Sequence, residues 1–357
     1  MPISPSRLTL ARKLRAMTLA DLSSLTDLSP QTINRCELGH QEPTADSVNR
    51  LADALKLPPA FFHRPDVEPL PTATASLRSP SKTSAFRRDA VLAAALIASE
   101  IAAWIGARFR LPRANLPTAP ANPSAEDIEA MARRIRNEWG LGQRPIPNLI
   151  HLLESRGVRI FSLVQEVRDV DAFSVFLRGE PFIFIDTGKT AERQRFDAAH
   201  ELGHLVLHQG PGRIDGREAE RQADRFAAAL LMPRGDVLAR NLHQADAARL
   251  RQASRRWGVS PMALAHRLSE LDIITRWRYR TLCPELAESG SHLTAETSQV
   301  LEKVFAHLRR SERGVRAIAD DLELTPEEFN RHVFGLAAVH LHAVAPAGVA
   351  QSSRCAG

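Results

Sequence analysis

The chain of 357 residues is long enough for two or three domains, and its 44% hydrophobic and 25% charged residues are typical of globular proteins. Three widely separated cysteines, Cys36, Cys283 and Cys355, exclude a disulfide framework and a cysteine zinc site, which favours a reducing cytoplasm. The net charge of +6 comes largely from residues 69–115, which carry seven basic and two acidic side chains, whereas residues 1–68 carry eight of each. The basic excess therefore lies in a linker region, which either is solvated or contacts nucleic-acid phosphates.

The first predicted elements are short helices between residues 7 and 62, where apolar residues recur at helical spacing. Ser29 is a good N-cap for one of these helices, Pro30 fits its first position, and Gly39 marks its end. The N-terminus lacks the apolar core and the cleavage site of a signal peptide, in agreement with a cytoplasmic protein. We predict an all-α domain over residues 1–67.

Residues 68–124 are predicted to form a linker that contains one helix. Proline, serine and threonine dominate "EPLPTATASLRSPSK", a composition typical of linkers. The stretch "AVLAAALIASEIAAWIGA", residues 90–107, is nearly long enough to span a membrane, but it is mostly alanine and contains Glu100. It therefore predicts a packed or dimerising helix.

The central segment, residues 125–285, contains the strand-rich part of the sequence. Ser124 and Asp127 have the spacing of a capping box and open a helix. The runs "GVRIFSLV", "AFSVFLR" and "PFIFID" are short, aromatic and β-branched, and they predict three strands. Helical patterns then predict a C-terminal region over residues 286–342, followed by a disordered tail over residues 343–357. The predicted fold is thus multidomain and mainly α, with a small sheet in an α+β central domain.

The stretch "FDAAHELGHLVLHQG", residues 196–210, places four titratable side chains in an otherwise apolar helical run. His200 and His204 are four residues apart, so a helix carries both imidazoles on one face, where they can bind one ion. Glu201 lies between them and can take a proton from an activated water, which completes the HExxH pattern of zinc hydrolases. His208 is too far along a rigid helix to join His200, and we interpret it as a helix-end residue that favours the dipole.

A catalytic zinc needs a third protein ligand, and the best source is the next predicted helix, "EAERQADRFAAALLMP". Glu220 and Asp224 are four residues apart and share one face of that helix. We assign Glu220 as the third ligand, with Glu218 as the alternative, and Asp224 as the acceptor for the free N–H of a ligand histidine. Gly203 lies in mid-helix, where glycine costs about 1 kcal/mol of stability relative to alanine. Its missing side chain is useful where another chain element must approach closely.

The same two segments resemble the ImmA/IrrE metallopeptidases. Their pattern joins an Arg-Phe lead-in, the His-Glu-x-x-His helix, and a Glu-x-x-Ala-Asn/Asp-x-Phe-Ala helix that ends in Met-Pro. The resemblance covers about residues 125–280 and implies a zincin-like fold with Zn²⁺ as cofactor. It also implies that His200, His204 and Glu220 are the zinc ligands and that Glu201 is the general base. Asp224 departs from the pattern, since Asn is common there; the acceptor is kept but a charge is added.

Residues 7–62 resemble the helix-turn-helix domains of the Xre/Cro type, with residues 30–37 as the recognition helix. The polar residues at its start would face the major groove of double-stranded operator DNA, and basic residues would contact phosphate. The residues implied to contact DNA are Gln31, Thr32, Asn34 and Arg35. Arg12 and Lys13, like Arg35, are candidates for phosphate contact or for support. The zero net charge of this segment implies modest affinity or a need for dimerisation, and the alternative is a domain that contacts protein.

Together the two resemblances imply a DNA-binding transcriptional regulator whose zinc-dependent endopeptidase domain hydrolyses a peptide bond in a repressor-type protein, with a homodimer as the expected assembly. The alternative is a regulator whose metal domain senses a ligand or a metal without proteolysis. A substrate peptide is expected beside an edge strand, either Phe182–Asp186 or "AFSVFL". Residues 69–82 would be accessible to self-cleavage. Gly314–Leu336 has the shape of another helix-turn-helix, but its acidic start repels phosphate and indicates a structural or dimerisation unit.

Overall fold

The computed structural model describes residues 2–68, 70, 75–77, 85–163, 171–209, 216–287, 293–310 and 315–337. Over these residues the chain is mainly helical, with sixteen α-helices and one four-stranded sheet. This confirms the multidomain, mainly α fold class. The predicted disordered tail, residues 343–357, and most of the predicted linker segment, residues 69–82, lie outside the described residues.

The N-terminal bundle is a helix-turn-helix unit made of short, capped helices. Its helices are α1 (Pro5–Leu14), α2 (Leu19–Thr26), α3 (Pro30–Glu37) and α4 (Ala45–Leu55), and a 3-10 turn follows at Pro59–His63. The Ser29 hydroxyl accepts the backbone N–H of Thr32 at 3.0 Å, and Pro30 opens α3, as predicted. Gly39 follows the end of α3 with φ of +71°, a conformation that glycine adopts without steric cost.

In the part of the chain that the structure describes, two elements lie between this bundle and the central domain: strand β1 (Ala75–Leu77) and helix α5 (Ala85–Gly106). The linker composition gives no sign of β1, which joins the central sheet. Among the described residues, α5 is the one helix that is long and apolar enough to cross a membrane, but 67% of residues 88–106 is buried inside the protein. Ile97 and Ile101 are fully buried, so α5 is a packed helix, as predicted.

The central domain begins with two helices and three strands. They are α6 (Ala125–Glu138), α7 (Leu149–Ser155), β2 (Arg159–Ser162), β3 (Ala172–Leu177) and β4 (Glu180–Ile185). Ser124 and Asp127 form the predicted capping box at the start of α6. All three predicted strands are present, because each run combines β-branched and aromatic residues with flanking turn residues.

The sheet has the order β1-β3-β4-β2, with β2 parallel to β4 and the other pairs antiparallel. A tight turn at Arg178 and Gly179, both with positive φ, joins β3 and β4 in a hairpin. Strand β2 then pairs with the remaining side of β4. The expectation that Phe182–Asp186 is an edge strand is therefore wrong, since β4 is an inner strand with partners on both sides. The alternative, "AFSVFL" in β3, is not a free edge either, because β3 pairs with β4 on one side and with β1 on the other.

Helices complete the central domain and the C-terminal region. They are α8 (Ala191–Leu207), α9 (Arg217–Leu231), α10 (Arg234–Leu238), α11 (Ala247–Ser254), α12 (Pro261–Glu270), α13 (Arg276–Leu286), α14 (Gln299–Arg310), α15 (Val315–Asp321) and α16 (Pro326–His332). In the C-terminal region, Phe305 of α14 contacts Phe329 of α16 edge to face, with ring centroids 5.9 Å apart. This packing fits the predicted structural unit over residues 314–336, of which residue 314 lies outside the described residues.

The sheet separates two hydrophobic cores. Because side chains alternate across a strand, Ile183 and Ile185 of β4 face the core that contains α8 and α9, whereas Phe182 and Phe184 face the other core. That second core also contains α5, the C-terminal helices and the N-terminal bundle. Phe173 of β3 stacks on Phe184 there, with ring centroids 4.3 Å apart. One face of the sheet thus supports the central domain, and the other supports the rest of the chain.

Ion pairs that are buried or partly buried join the N-terminal bundle to the rest of this second core. Glu100 of α5 accepts hydrogen bonds from Arg7 at 2.6 Å and from Arg64 at 2.8 Å. Arg15, the C-cap residue of α1, pairs with Glu328 of α16 at 2.6 Å, and both side chains are buried. Charged groups removed from water require partners of this kind. The bundle is therefore held to α5 and α16 by specific charge pairs as well as by apolar contacts.

Candidate metal centre

The HExxH motif lies in α8, at the centre of the central domain. His200, Glu201 and His204 are all buried, and their metal-binding atoms lie within 4.8 Å of one another. The Nε2 atoms of the two histidines are 3.0 Å apart, because residues at i and i+4 share a helix face. Both imidazoles thus meet at one point.

Helix α9 brings a carboxylate to the same point. Glu220 Oε2 lies 3.4 Å from His200 Nε2, and Glu220 Oε1 lies 3.5 Å from His204 Nε2. Glu218, the alternative third ligand, instead forms an ion pair with Arg221. The structure therefore brings His200, His204 and Glu220 together and places Glu218 outside the group.

This donor set fits a zinc ion. Two imidazole nitrogens and one carboxylate are typical of catalytic zinc sites, and zinc–nitrogen bonds of about 2.0–2.1 Å separate tetrahedral ligands by roughly 3.3–3.4 Å. The three ligand separations here are 3.0, 3.4 and 3.5 Å. Three protein ligands also leave the fourth tetrahedral position for water or substrate.

The charge states of the ligands suit a metal cation. Burial lowers the pKa of His204 to about 4, which keeps its imidazole neutral near pH 7. Burial alone would raise the pKa of the Glu220 carboxyl, but hydrogen bonds and charge from His200 and His204 outweigh it and hold that pKa well below its usual range. The site thus presents a neutral His204 imidazole and an ionised Glu220 carboxylate, the forms that bind zinc.

A second side chain contacts each ligand histidine on the side opposite Glu220. His200 Nδ1 lies 2.8 Å from Asp224 Oδ1, and His204 Nδ1 lies 2.9 Å from His208 Nδ1. His208 Nε2 in turn lies 3.0 Å from Gln222 Oε1. If His204 binds a metal through Nε2, its Nδ1–H donates to His208, and His208 Nε2–H donates to the Gln222 carbonyl oxygen.

Two of these contacts are absent from the sequence prediction. His208 is the C-cap residue of α8, as expected for a helix-end residue, but its ring also contacts a candidate ligand. The i, i+4 spacing of His204 and His208 is the signal that could have indicated this contact. Gln222 gives no comparable signal, because its contact with His208 depends on how α9 packs against α8.

Glu201, the candidate general base, lies under the sheet. Its Oε2 accepts a hydrogen bond from the Ser174 hydroxyl at 2.7 Å, and the glutamate side chain is wholly buried. Ser174 is the one polar residue in "AFSVFL", which is the signal that sequence reasoning missed. Cavities of about 730 and 580 Å³ lie beside α9; neither is lined by His200, Glu201 or His204, but Gln222 and Asp224 line the larger one.

Two residues fix α8 against its neighbours. A Cβ at Gly203 would lie 3.1 Å from the Phe226 ring and 3.2 Å from the Ala223 backbone, so the glycine permits the close approach of α9. Arg195, in the Arg-Phe lead-in, donates to the Trp257 carbonyl at 3.2 Å, to the Ile146 carbonyl and to Glu296. The lead-in arginine thus joins α8 to three other segments.

The candidate DNA-contact residues lie on α3. Gln31, Asn34 and Arg35 are exposed, whereas Thr32 is half-buried with its hydroxyl 2.9 Å from that of Ser29. Arg12 is engaged within the bundle: its guanidinium donates to both oxygens of Glu37, at 2.6 and 2.7 Å. The structure therefore presents three of the four candidates to solvent, and Arg12 supports α3.

Comparison with protein families agrees with this architecture. Residues 153–269 match the Peptidase M78 family, described as the IrrE N-terminal-like domain. Residues 8–62 match the family described as helix-turn-helix. No curated protein matches the chain significantly. The chain therefore joins an N-terminal helix-turn-helix domain to a metallopeptidase-like domain of the ImmA/IrrE type, and the helix-turn-helix indicates a DNA-binding regulator.

Proposed function

We propose that this regulator is a zinc-dependent endopeptidase. The observation that carries the proposal is the meeting of His200, His204 and Glu220 beside the carboxylate of Glu201. The chemistry that zinc supplies when bound is Lewis-acid activation of water and of the scissile carbonyl. Glu201 takes the proton of the attacking water and delivers it to the nitrogen of the leaving amine. Asp224 and His208 hold the ligand imidazoles in the required tautomers.

The test compares zinc content and proteolysis in three versions of the full chain. Glu201→Gln should keep about one zinc per chain and lose cleavage of a repressor-type protein, since the ligands remain and the base is gone. His204→Ala should lose both zinc and cleavage, and His40→Ala, at an exposed histidine, should lose neither. Equal zinc in wild type and His204→Ala would overturn the metal centre, and equal cleavage by wild type and Glu201→Gln would overturn the protease.

One observation favours a second candidate function, a ligand or metal sensor that cuts nothing. Glu201 is wholly buried, whereas a general base must meet water and substrate. A sensor would require His200, His204 and Glu220 but not Glu201. The two functions separate in the Glu201→Gln protein, which keeps full regulatory function only if the domain is a sensor.

We further propose that the protein is cytoplasmic, acts as a homodimer on operator DNA, and has a repressor-type protein as its peptidase substrate. The exposed residues of α3 support specific DNA contact, and dimers of helix-turn-helix proteins read two half-sites. A Gln31→Ala/Asn34→Ala variant should lose preference for its operator over unrelated DNA. Unchanged preference in a competition binding assay would remove α3 as the recognition helix. The proposed domains are residues 1–67, 68–124, 125–285 and 286–342, with a tail over residues 343–357.

A further inference from the structure

We propose that the outer edge of β3 is the peptide-binding edge of the metal centre and that the chain's own segment Ala75–Leu77 occupies it in cis. The linker segment thus competes with any peptide that arrives from another molecule. This inference rests on the proposed endopeptidase function, because it names the place where that function takes its substrate.

The register of the sheet connects β1 with the candidate base. Strand β1 runs antiparallel to β3, with Ser76 directly opposite Ser174. The hydroxyl of that same Ser174 donates to Glu201 Oε2 at 2.7 Å. Neighbouring strands lie about 4.8 Å apart, so the β1 backbone runs one strand away from the residue that touches Glu201. The linker therefore lies in the strand position nearest to the candidate catalytic carboxylate on this side of the sheet.

An extended peptide has one place to join the sheet beside Glu201. Strand β3 pairs with β4 on its inner side and with β1 on its outer side. Addition of a strand to a sheet edge uses main-chain hydrogen bonds that any extended peptide can make. Because β1 already makes these bonds, a peptide must displace it.

The burial of Glu201 agrees with an occupied edge. Glu201 is wholly buried under the sheet, whereas Glu220 and Asp224, on the side of α9, are 30% and 42% exposed. A peptide therefore does not join β3 beside Glu201 until the strand at that edge moves. Strand β1 is the element best suited to move, since its three residues form few ladder bonds and it lies in a linker.

The sequence of β1 also indicates the class of peptide that the outer edge of β3 accepts. Ala75, Ser76 and Leu77 are uncharged, two of them are small, and the surrounding linker is rich in serine, threonine and alanine. Recognition by β-augmentation reads the backbone first and alternate side chains second. We therefore expect the edge to bind extended segments whose pairing residues, like Ala75–Leu77, are uncharged and mostly small. Tethering gives the cis segment an effective concentration of roughly millimolar, which makes it an efficient competitor.

The test measures peptide binding by the full, zinc-loaded chain in a Glu201→Gln background, where nothing is cut. The probe is a fluorescein-labelled peptide with the sequence of residues 70–82, LPTATASLRSPSK. Consecutive residues of a strand point their N–H groups in opposite directions, so one of Ala75 and Ser76 donates towards β3. An Ala75→Pro/Ser76→Pro variant removes both N–H groups and therefore removes that hydrogen bond between β1 and β3. The matched control, Ala75→Ser/Ser76→Ala, keeps both backbone N–H groups and the overall composition.

Fluorescence anisotropy should show at least about 10-fold tighter binding of the probe to the proline variant than to the control, since a millimolar competitor has been removed. Equal affinity of the two variants for the probe would overturn the proposal, and so would failure of both to bind it. Because every protein in this experiment carries Glu201→Gln, the result does not depend on proteolysis. Loss of the proposed endopeptidase function would appear separately, as the absence of repressor cleavage by the wild-type chain.

A second measurement needs no proline substitution, so it tests the proposal even where the proline variant does not fold. In the Glu201→Gln chain with an unaltered linker, hydrogen exchange of the Ala75–Leu77 amides should accelerate as the probe concentration is raised above the millimolar range. The amides of β3 should stay protected, because the bound probe takes the place of β1 and makes the same hydrogen bonds to β3. Unchanged exchange at Ala75–Leu77 under a saturating probe would overturn the proposal.

Discussion

At the scale of single residues, the candidate metal centre depends on side chains that contact the ligand histidines and orient them. His200 and His204 present Nε2 to a common point, and Asp224 and His208 contact their Nδ1 atoms. A contact of this kind selects the tautomer and the ring orientation of a ligand. The HExxH spacing places the two imidazole rings on one face of α8, and the contacts at their Nδ1 atoms set the orientation of each ring.

Replacement of His208 tests this positioning. We expect His208→Ala to weaken zinc binding by about 10- to 100-fold, since loss of such an outer partner has that typical effect. His208→Gln, which retains a hydrogen-bond acceptor, should recover part of the affinity. Zinc affinity is measured by competition with a chromophoric chelator. The same affinity in wild type and His208→Ala would show that the His204–His208 contact does not orient the ligand.

At the scale of elements, the position of Glu220 depends on how closely α9 approaches α8. The ligand histidines come from α8 and the carboxylate comes from α9, so the spacing between the two helices sets the geometry of the three ligands. Gly203 favours that spacing, because the Ala223 backbone lies only 3.2 Å from the position that a Cβ would take. Sequence reasoning predicts a close approach at Gly203, and the structure identifies α9 as the partner.

A methyl group at Gly203 should therefore affect both stability and metal binding. Contacts of 3.1–3.2 Å with Phe226 and the Ala223 backbone force the helices apart, which typically costs about 1–3 kcal/mol of unfolding free energy. We expect Gly203→Ala to lose that stability in urea and to bind zinc more weakly. Gly106→Ala in α5 is the control, since its Cβ meets nothing within 4 Å and should be neutral or slightly stabilising. Equal behaviour of the two variants would contradict this account.

At the scale of the whole molecule, the sheet and the C-terminal helices connect the helix-turn-helix domain to the metallopeptidase-like domain. Arg15 of the bundle pairs with the buried Glu328, which also accepts from His332 at 3.1 Å. On the peptidase side, Glu154 of α7 accepts the backbone N–H groups of Gln299 and Val300 at the start of α14. The C-terminal helices thus contact both domains.

Removal of the charge at Glu328 tests the contact with the bundle. Glu328→Gln leaves the Arg15 guanidinium buried without its counter-charge, and breaking a buried pair typically costs about 3–5 kcal/mol. We expect urea denaturation to show a loss of that order. Glu138→Gln, which breaks the exposed Arg134–Glu138 pair, should cost less than about 1 kcal/mol. A loss at Glu328 as small as that at Glu138 would mean that the pair does not hold the domains together.

The same pair should give a characteristic pH dependence. Burial would raise the pKa of Glu328, but hydrogen bonds and charge from His332 and Arg15 outweigh it and lower that pKa from 4.5 to about 2. A lowered folded-state pKa contributes stability that is full above about pH 4.5 and is lost as the pH falls through about 2. The difference in unfolding free energy between wild type and Glu328→Gln should shrink as the pH falls below 4.5 towards about 2. A constant difference down to pH 3 would contradict this assignment.

The sequence by itself determined the local features of this protein. Helical spacing placed His200 and His204 on one face, the capping signals at Ser29 and Ser124 located helix starts, and three aromatic, β-branched runs became strands. Each of these depends on residues within a few positions of one another, where backbone periodicity and local hydrogen bonds decide the conformation. The pattern that joins the HExxH helix to the following Glu-x-x-Ala helix also indicated the helix that supplies Glu220.

Only the tertiary structure decided which distant segments meet. Strand order made β4 an inner strand and placed β1, from a linker that reads as unstructured, beside β3. The contacts of Ser174 with Glu201 and of Gln222 with His208 also join residues far apart in the chain. Such pairings depend on the packing of whole elements against two shared cores, and no local pattern specifies which edge or face a distant segment will find.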